Sequence, residues 1–166
     1  MPPRAPACCS APCCARAGRW AHWLALSAVL VLALGVRVHG LGRPLWDDEI
    51  YTVYDASVPL GSVFKSTPTP LAYLVTKVTL LLGEREALLR LPYLCVGLLG
   101  VLALYLVAAR LSGRAAGLAA ALFLSLSAYH VITSQEVRFY ALISLFGLIG
   151  LHGLVMLCGR PSAAGA

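Results

Sequence analysis

Charged side chains are scarce in this sequence. Only 12% of its 166 residues are Asp, Glu, Lys or Arg, whereas 60% are hydrophobic. A soluble domain needs more polar surface than this, so the composition indicates an integral membrane protein. The bases outnumber the acids and give a formal net charge of +6, but they form no basic stripe with interleaved aromatic residues. The sequence therefore does not predict a nucleic-acid partner.

Acidic residues are few and unevenly placed. Six of the seven lie between residues 42 and 90, and none lies in the first 19 residues. Residues 1–19 contain three arginines and several prolines, which predicts a disordered basic tail on the cytoplasmic side. The six cysteines do not have the spacing of a zinc site.

Long apolar runs occupy most of the remaining chain. A membrane-spanning helix needs about 20 apolar residues, and four runs approach that length. We therefore predict an all-α integral membrane protein with about four transmembrane helices and short interfacial helices in a large first outer loop. The predicted membrane domain covers 20–160, followed by a short tail at 161–166; its spans are 20–41, 91–109, 115–135 and 139–159, and its outer loop is 42–90.

The arginines indicate the orientation of these spans. With the N-terminus inside, the inner segments carry six arginines and no acid, as the positive-inside rule requires. The sequence thus predicts a multi-pass protein of the plasma membrane with a cytoplasmic N-terminus. An extra span at 71–82 would move Arg110 and Arg114 outside, so we expect that stretch to lie at the interface. Arg37, near the end of the first span, is expected to snorkel to the outer interface.

Two polar stretches meet the outer face in this topology. One is Asp47-Asp48-Glu49, and the other runs from Ser134 to Tyr140. Neighbouring carboxylates can act as a general base or bind a divalent cation. An arginine beside a membrane can hold a phosphate with its planar fork. Together they suggest a lipid-phosphate substrate, although a solvated loop and an arginine flanking a span give the same pattern.

The order of these motifs resembles the N-terminal part of the membrane glycosyltransferases that use polyprenyl-phosphate sugars. These include the protein O-mannosyltransferases, the lipid A aminoarabinose transferases and the RgtA/B/C/D-like domain. The resemblance extends from Arg37 to Leu142. Its pieces are Leu45–Tyr51, Pro70–Leu74, Gly83-Glu84 with Leu89–Pro92, Ala109–Arg114 and Ser134–Leu142.

The resemblance implies a role for several residues. Asp48 would activate the acceptor, and Glu49 would support it or join it in holding a divalent metal. Arg138 would bind the donor phosphate, with Asp47 and Glu136 in supporting positions. The implied reaction transfers a sugar from a polyprenyl-phosphate donor in the lipid bilayer to a glycan, lipid or protein acceptor at the outer membrane face.

The chain also departs from the resemblance. Thr67-Pro68-Thr69-Pro70 stands where those enzymes often have a His or acid before two prolines, which removes one candidate metal ligand. The chain is also several times shorter than they are, so we expect a part of a longer enzyme. A non-catalytic remnant or an assembly partner in the membrane is the alternative. His130, near the end of the third predicted span, is a further candidate for a supporting role.

Overall fold

The computed structural model describes residues 11–59, 61 and 69–158, and these residues contain helices and connecting turns but no strand. This confirms the predicted all-α membrane fold. The main helices are α1 (Ala11–Val38), α2 (Asp47–Ser57), α3 (Pro70–Leu80), α4 (Glu86–Ser112), α5 (Arg114–Leu126), α6 (Ala128–Thr133) and α7 (Tyr140–Cys158).

Three of the described helices are long and apolar enough to cross a membrane. They are α1 from Trp20 onward, α4 and α7. The predicted span at 115–135 falls instead on α5 and α6, because the backbone at Ser127 is extended and interrupts the helix. The count of four spans therefore remains a prediction.

The ends of α1 and α4 differ from expectation. Residues 11–19 belong to α1 rather than to a disordered tail, because Ala and Arg favour helix and Pro12 is tolerated in a first turn. The rest of that predicted tail, and the tail at 161–166, lie outside the described residues. Helix α4 begins at Glu86, before the predicted start of the second span, and Pro92 lies inside it.

Helix α4 is the central element, because it contributes to both hydrophobic clusters of the described residues. One cluster joins it to α1 and α5, and the other joins it to α3, to the turn after α6 and to α7. The first contains Leu26, Ala33, Val101, Tyr105 and Ala121, and the second contains Ala72, Leu89, Tyr93, Val137 and Leu142.

Helices α4 and α5 form an antiparallel hairpin joined by Gly113 alone. This residue has φ +88°, a conformation that glycine adopts without the steric penalty of a Cβ atom. One turn later, a Cβ atom on Gly117 would lie only 2.8 Å from the Ala109 Cβ atom and 2.9 Å from the Tyr105 carbonyl oxygen. The absence of a side chain at Gly117 therefore allows the two helices to approach closely.

Helix α3 has 11 residues, about half the length that a span requires. Its Lys77 Nζ atom donates hydrogen bonds to the carbonyl oxygens of Ala56 and Val58, at 2.9 and 2.6 Å. These carbonyls lie at the C-terminal end of α2, where a cation is favoured by the helix dipole. Lys77 therefore joins α3 to α2 and places both short helices beside the start of α4.

Candidate functional site

The two polar stretches lie against each other in the fold. The first turn of α2 carries Asp47, Asp48 and Glu49, and the turn at 134–139 joins α6 to α7. Three acids in a first helical turn are favoured by the positive end of the helix dipole. Val137 is completely buried in the cluster around α4, which fixes the second turn next to the first.

Glu49 is completely buried and forms an ion pair with Arg90 of α4. Arg90 Nε donates to Glu49 Oε1 at 3.0 Å, and Arg90 Nη2 donates to Oε2 at 2.6 Å. The same carboxylate accepts hydrogen bonds from the backbone N–H groups of Val137, at 2.9 Å, and Trp46, at 3.3 Å. Both oxygens are therefore engaged, so Glu49 joins three segments and is not presented to a substrate.

Arg90 also binds the backbone that leads into α2. Its guanidinium donates to the carbonyl oxygens of Leu41, Arg43 and Pro44. Arg90 directly precedes the second predicted span in the sequence, and its acid partner lies 41 positions earlier. The only local signal was a lone arginine among apolar residues near the start of that span.

Asp48 and Arg138 form the second ion pair of the described residues. Arg138 Nη2 lies 3.3 Å from Asp48 Oδ2, and Arg138 Nη1 donates to the Asp48 carbonyl oxygen at 3.2 Å. The Asp48 side chain is 45% exposed, whereas that of Arg138 is 18% exposed. The rings of Phe139 and Tyr140 flank the guanidinium, each centroid 5.7 Å away, and a cation is attracted to such faces.

The Arg138 Nε atom is buried and has no hydrogen-bond partner among the described residues. A buried donor without a partner is destabilising, more so when it is charged. Arg138 therefore retains one donor that no described residue uses. Asp47 is exposed on the first turn of α2.

Glu136, two residues before Arg138, lines an open cavity with Trp46 and Arg43. Burial raises the pKa of the Glu136 carboxyl above its ordinary value, and the charge of Glu49 raises it further. The nearby arginines, Arg138 among them, oppose these effects. Glu136 is thus more easily protonated than an exposed glutamate.

His130 belongs to a separate network around Arg37. Arg37 is completely buried, so the expected snorkelling to the interface is wrong. Its guanidinium donates to His130 Nδ1 at 2.7 Å, to Ser134 Oγ at 3.0 Å and to the Ala33 carbonyl oxygen at 2.9 Å. Since arginine has no acceptor, His130 Nδ1 must accept, which leaves the proton on Nε2. Polar partners inside the helix bundle therefore satisfy the guanidinium while it is buried.

Gln135 and Gly97 hold the 134–139 turn in place. The Gln135 amide donates to the Arg37 carbonyl oxygen at 2.7 Å and accepts from Arg43 at 2.8 Å. At Gly97 of α4, an added Cβ atom would overlap with the Cβ atom of Ser134. The close approach of this turn to α4 therefore depends on glycine.

The described residues do not fit a divalent metal at Asp48 and Glu49. No three His, Cys, Asp or Glu side chains gather anywhere in this part of the chain. Glu49 would have to leave Arg90 to bind a cation, which would leave a buried guanidinium without its counter-ion. Asp48 alone would supply one of the six or more oxygen ligands that such cations take.

Comparison with known proteins identifies the family. The model of the dolichyl-phosphate-mannose-protein mannosyltransferase family matches residues 66–158. This segment includes Arg90, Glu136 and Arg138 and begins after the acidic turn of α2. No curated protein and no solved structure gives a significant match. Because the match covers more than half of a chain that folds as an all-helical membrane protein, the chain belongs to the dolichyl-phosphate-mannose-protein mannosyltransferase family of membrane glycosyltransferases.

Proposed function

We propose that this chain transfers a sugar from a polyprenyl-phosphate donor to an acceptor hydroxyl or amine at the outer membrane face, as part of a longer enzyme. Asp48 is the proposed general base, and Arg138 binds the donor phosphate. The observation that carries this proposal is the contact between Asp48 and Arg138, which are 90 positions apart in the sequence.

This contact suits an inverting displacement. The acceptor oxygen or nitrogen attacks the anomeric carbon of the sugar, the bond from that carbon to the phosphate oxygen breaks, and polyprenyl phosphate leaves with the electron pair. Asp48 takes the proton of the acceptor, and Arg138 stabilises the charge on the leaving phosphate. A carboxylate and a guanidinium in contact can therefore act on the attacking acceptor and on the leaving phosphate of the same reaction.

The present partners of Arg138 support a coupling between donor binding and base activation. Its contact with the Asp48 carboxylate is long, at 3.3 Å, and its Nε atom has no partner among the described residues. A phosphate can compete with Asp48 for the guanidinium, because arginine pairs readily with phosphate in a two-pronged geometry. Donor binding then frees the Asp48 carboxylate to accept a proton.

A transfer assay on the longest native product of the gene tests this proposal. The donor is polyprenyl phosphate carrying radiolabelled mannose, and the acceptors are membrane extracts and purified cell-surface proteins. Asp48→Asn should lower the rate by about 10²–10⁴-fold, the usual contribution of a general base. Asp55→Asn, on the same helix, is the matched control and should retain the wild-type rate.

The outcome also decides between enzyme and remnant. Transfer that is unaffected by Asp48→Asn would show that Asp48 is not the base. If the wild-type protein transfers no sugar from any donor tested, the non-catalytic alternative stands.

A further inference from the structure

An open cavity lies between the C-terminal ends of α4 and α7, at the other end of α4 from the candidate site. It measures about 530 Å³, which is within the range of small-molecule sites. Arg110 stands 20 positions after Arg90 on α4, and the helical rise over that length is about 30 Å, the thickness of the hydrocarbon core of a bilayer. The cavity and the candidate site therefore lie at opposite membrane interfaces. The cavity is lined by Arg110, Leu111, Leu154, Val155 and Cys158.

Aromatic residues of α1 indicate that this end of the bundle meets the membrane surface. His22 of α1 forms a hydrogen bond with Tyr105 of α4, five positions before Arg110, so the two helices lie side by side here. Trp20 and Trp23 of α1 are exposed, and tryptophan is enriched where a membrane meets water. We therefore expect lipid headgroups at the level of the cavity.

The charges at this end of the bundle favour an anion. All seven acids of the chain lie in 47–55, in 84–86 or at 136, and these segments surround the opposite end of α4. Arg110 is exposed and takes part in neither of the two ion pairs of the described residues, and Arg114 follows it by four positions. The helix ends here contribute about −0.5 charge each at α4 and α7 and about +0.5 at the start of α5. The two arginines therefore outweigh the helix ends and leave a net positive charge with no acid to balance it.

The wall of the cavity also indicates which kind of anion fits. Leu111, Leu154 and Val155 are apolar, and Arg110 is the only cation among the lining residues. A free phosphate ion would exchange water for these apolar side chains, which is unfavourable. A phospholipid instead brings an acyl chain that covers the apolar wall and a phosphate that arginine holds with its planar fork.

We propose that this cavity binds an anionic phospholipid, with its phosphate at Arg110 and an acyl chain along Leu111, Leu154 and Val155. Basic pockets between membrane helices are known to bind lipid headgroups. A zwitterionic headgroup is less favourable, because it places a second positive group beside Arg110 and Arg114. In the predicted orientation the lipid belongs to the cytoplasmic leaflet, which is rich in anionic lipids. The bound lipid bridges α4 and α7 and takes no part in the proposed transfer, so the two proposals are tested separately.

Native mass spectrometry of the full chain in detergent tests this proposal. The probe is dioleoyl phosphatidylglycerol, and dioleoyl phosphatidylcholine offers the same acyl chains with a zwitterionic headgroup. Phosphatidylglycerol should bind about tenfold more tightly than phosphatidylcholine, and an excess of inorganic phosphate should not displace it. Equal binding of the two lipids would overturn the proposal, and so would displacement by inorganic phosphate.

Arginine substitutions locate the bound lipid along α4. Arg110→Ala should weaken the binding of phosphatidylglycerol by about fivefold or more. Arg85→Ala removes another exposed arginine, at the opposite end of α4, and should leave the affinity unchanged. Arg138→Ala should also leave it unchanged, because Arg138 belongs to the candidate site. A loss of binding in Arg138→Ala but not in Arg110→Ala would place the lipid at the candidate site and overturn the proposal.

A second pair of variants separates binding in the cavity from general attraction to the positive surface. Leu154→Trp fills the cavity without a change of charge and should weaken the binding of phosphatidylglycerol by a similar factor. Leu157→Trp adds the same side chain at another exposed position of α7, outside the cavity, and should have no effect. Unchanged affinity in Leu154→Trp would overturn the cavity as the binding site. Dimers that replace the lipid adducts and disappear in Leu154→Trp would assign the cavity to a second copy of the chain and would also overturn the proposal.

Discussion

The guanidinium of Arg90 forms a two-pronged ion pair with the carboxylate of Glu49, with N–H···O contacts of 3.0 and 2.6 Å between side chains that are almost completely buried. Arg90 stands near the start of α4 and Glu49 in the first turn of α2. This pair connects the central helix to the acidic turn. Glu49 also accepts a hydrogen bond from the backbone N–H of Val137, which connects the acidic turn to the 134–139 turn. The relative positions of Asp48 and Arg138 therefore depend on it.

Breaking the buried pair of Arg90 and Glu49 should destabilise the fold more than removing an exposed charge would. Arg90→Ala leaves a buried carboxylate without its counter-ion, which costs about 3–5 kcal/mol. We expect the melting temperature of the detergent-solubilised protein to fall strongly. Arg85→Ala, five positions earlier and exposed, should have little effect. Equal melting temperatures of the two variants would contradict the structural role of Arg90.

Removing the side chain of Arg138 should impair donor binding and transfer. Arg138→Ala should lower kcat/KM by about 10²–10³-fold, as the loss of one charge-stabilising donor does, and raise the KM for the donor. Arg138→Lys should restore only part of the rate, because an ammonium lacks the planar fork. Steady-state kinetics with the donor varied provide the measurement, and an unchanged donor KM in both variants would exclude a phosphate contact.

A methyl group at Gly97 should push the 134–139 turn away from α4. The added Cβ atom overlaps with Ser134, and such overpacking costs about 1–3 kcal/mol. Both the melting temperature and the transfer rate should fall for Gly97→Ala. The control is Gly147→Ala on α7, where an added Cβ atom would meet no described atom within 4 Å apart from its chain neighbours and its own helix backbone. This variant should be neutral or slightly stabilising because alanine favours helix.

Glu136 should make the stability of the protein depend on pH. Its pKa is raised in the folded state, so between the ordinary glutamate pKa and the raised value the folded chain binds more protons than the unfolded chain. Stability then falls as pH rises through that interval. Glu136→Gln should match the wild type at low pH and exceed its melting temperature above the interval. If the melting temperatures of the wild type and of Glu136→Gln change with pH in the same way, burial does not perturb the pKa of this carboxyl group.

Arg37 should not be replaceable by lysine. A single ammonium cannot reach His130, Ser134 and the Ala33 carbonyl oxygen together, and each buried polar group left without a partner costs about 1–3 kcal/mol. We expect a clear fall in the melting temperature of Arg37→Lys. Arg114→Lys at the exposed start of α5 is the matched control and should leave the melting temperature unchanged. A stable Arg37→Lys protein would mean that the network contributes little.

The sequence by itself determined the class of fold, and it predicted where a site would lie. Long apolar runs with few charges indicate helices in a membrane. Lipid offers no hydrogen bonds to the backbone, and a helix satisfies its own N–H and C=O groups. Acids confined mainly to one loop, and Glu136 and Arg138 in another, indicated where a site would form. The order of these motifs pointed to the glycosyltransferase family to which the chain belongs.

Only the tertiary structure decided which of these residues face each other. Asp47, Asp48 and Glu49 are adjacent in the sequence, yet helical geometry sends their side chains in different directions. Asp47 is exposed, Asp48 meets Arg138, and Glu49 is buried against Arg90. Arg37 and Arg90 resembled flanks of spans because their partners lie 41 to 97 positions away. Contacts at such separations depend on how the helices pack around α4, which local sequence patterns do not encode.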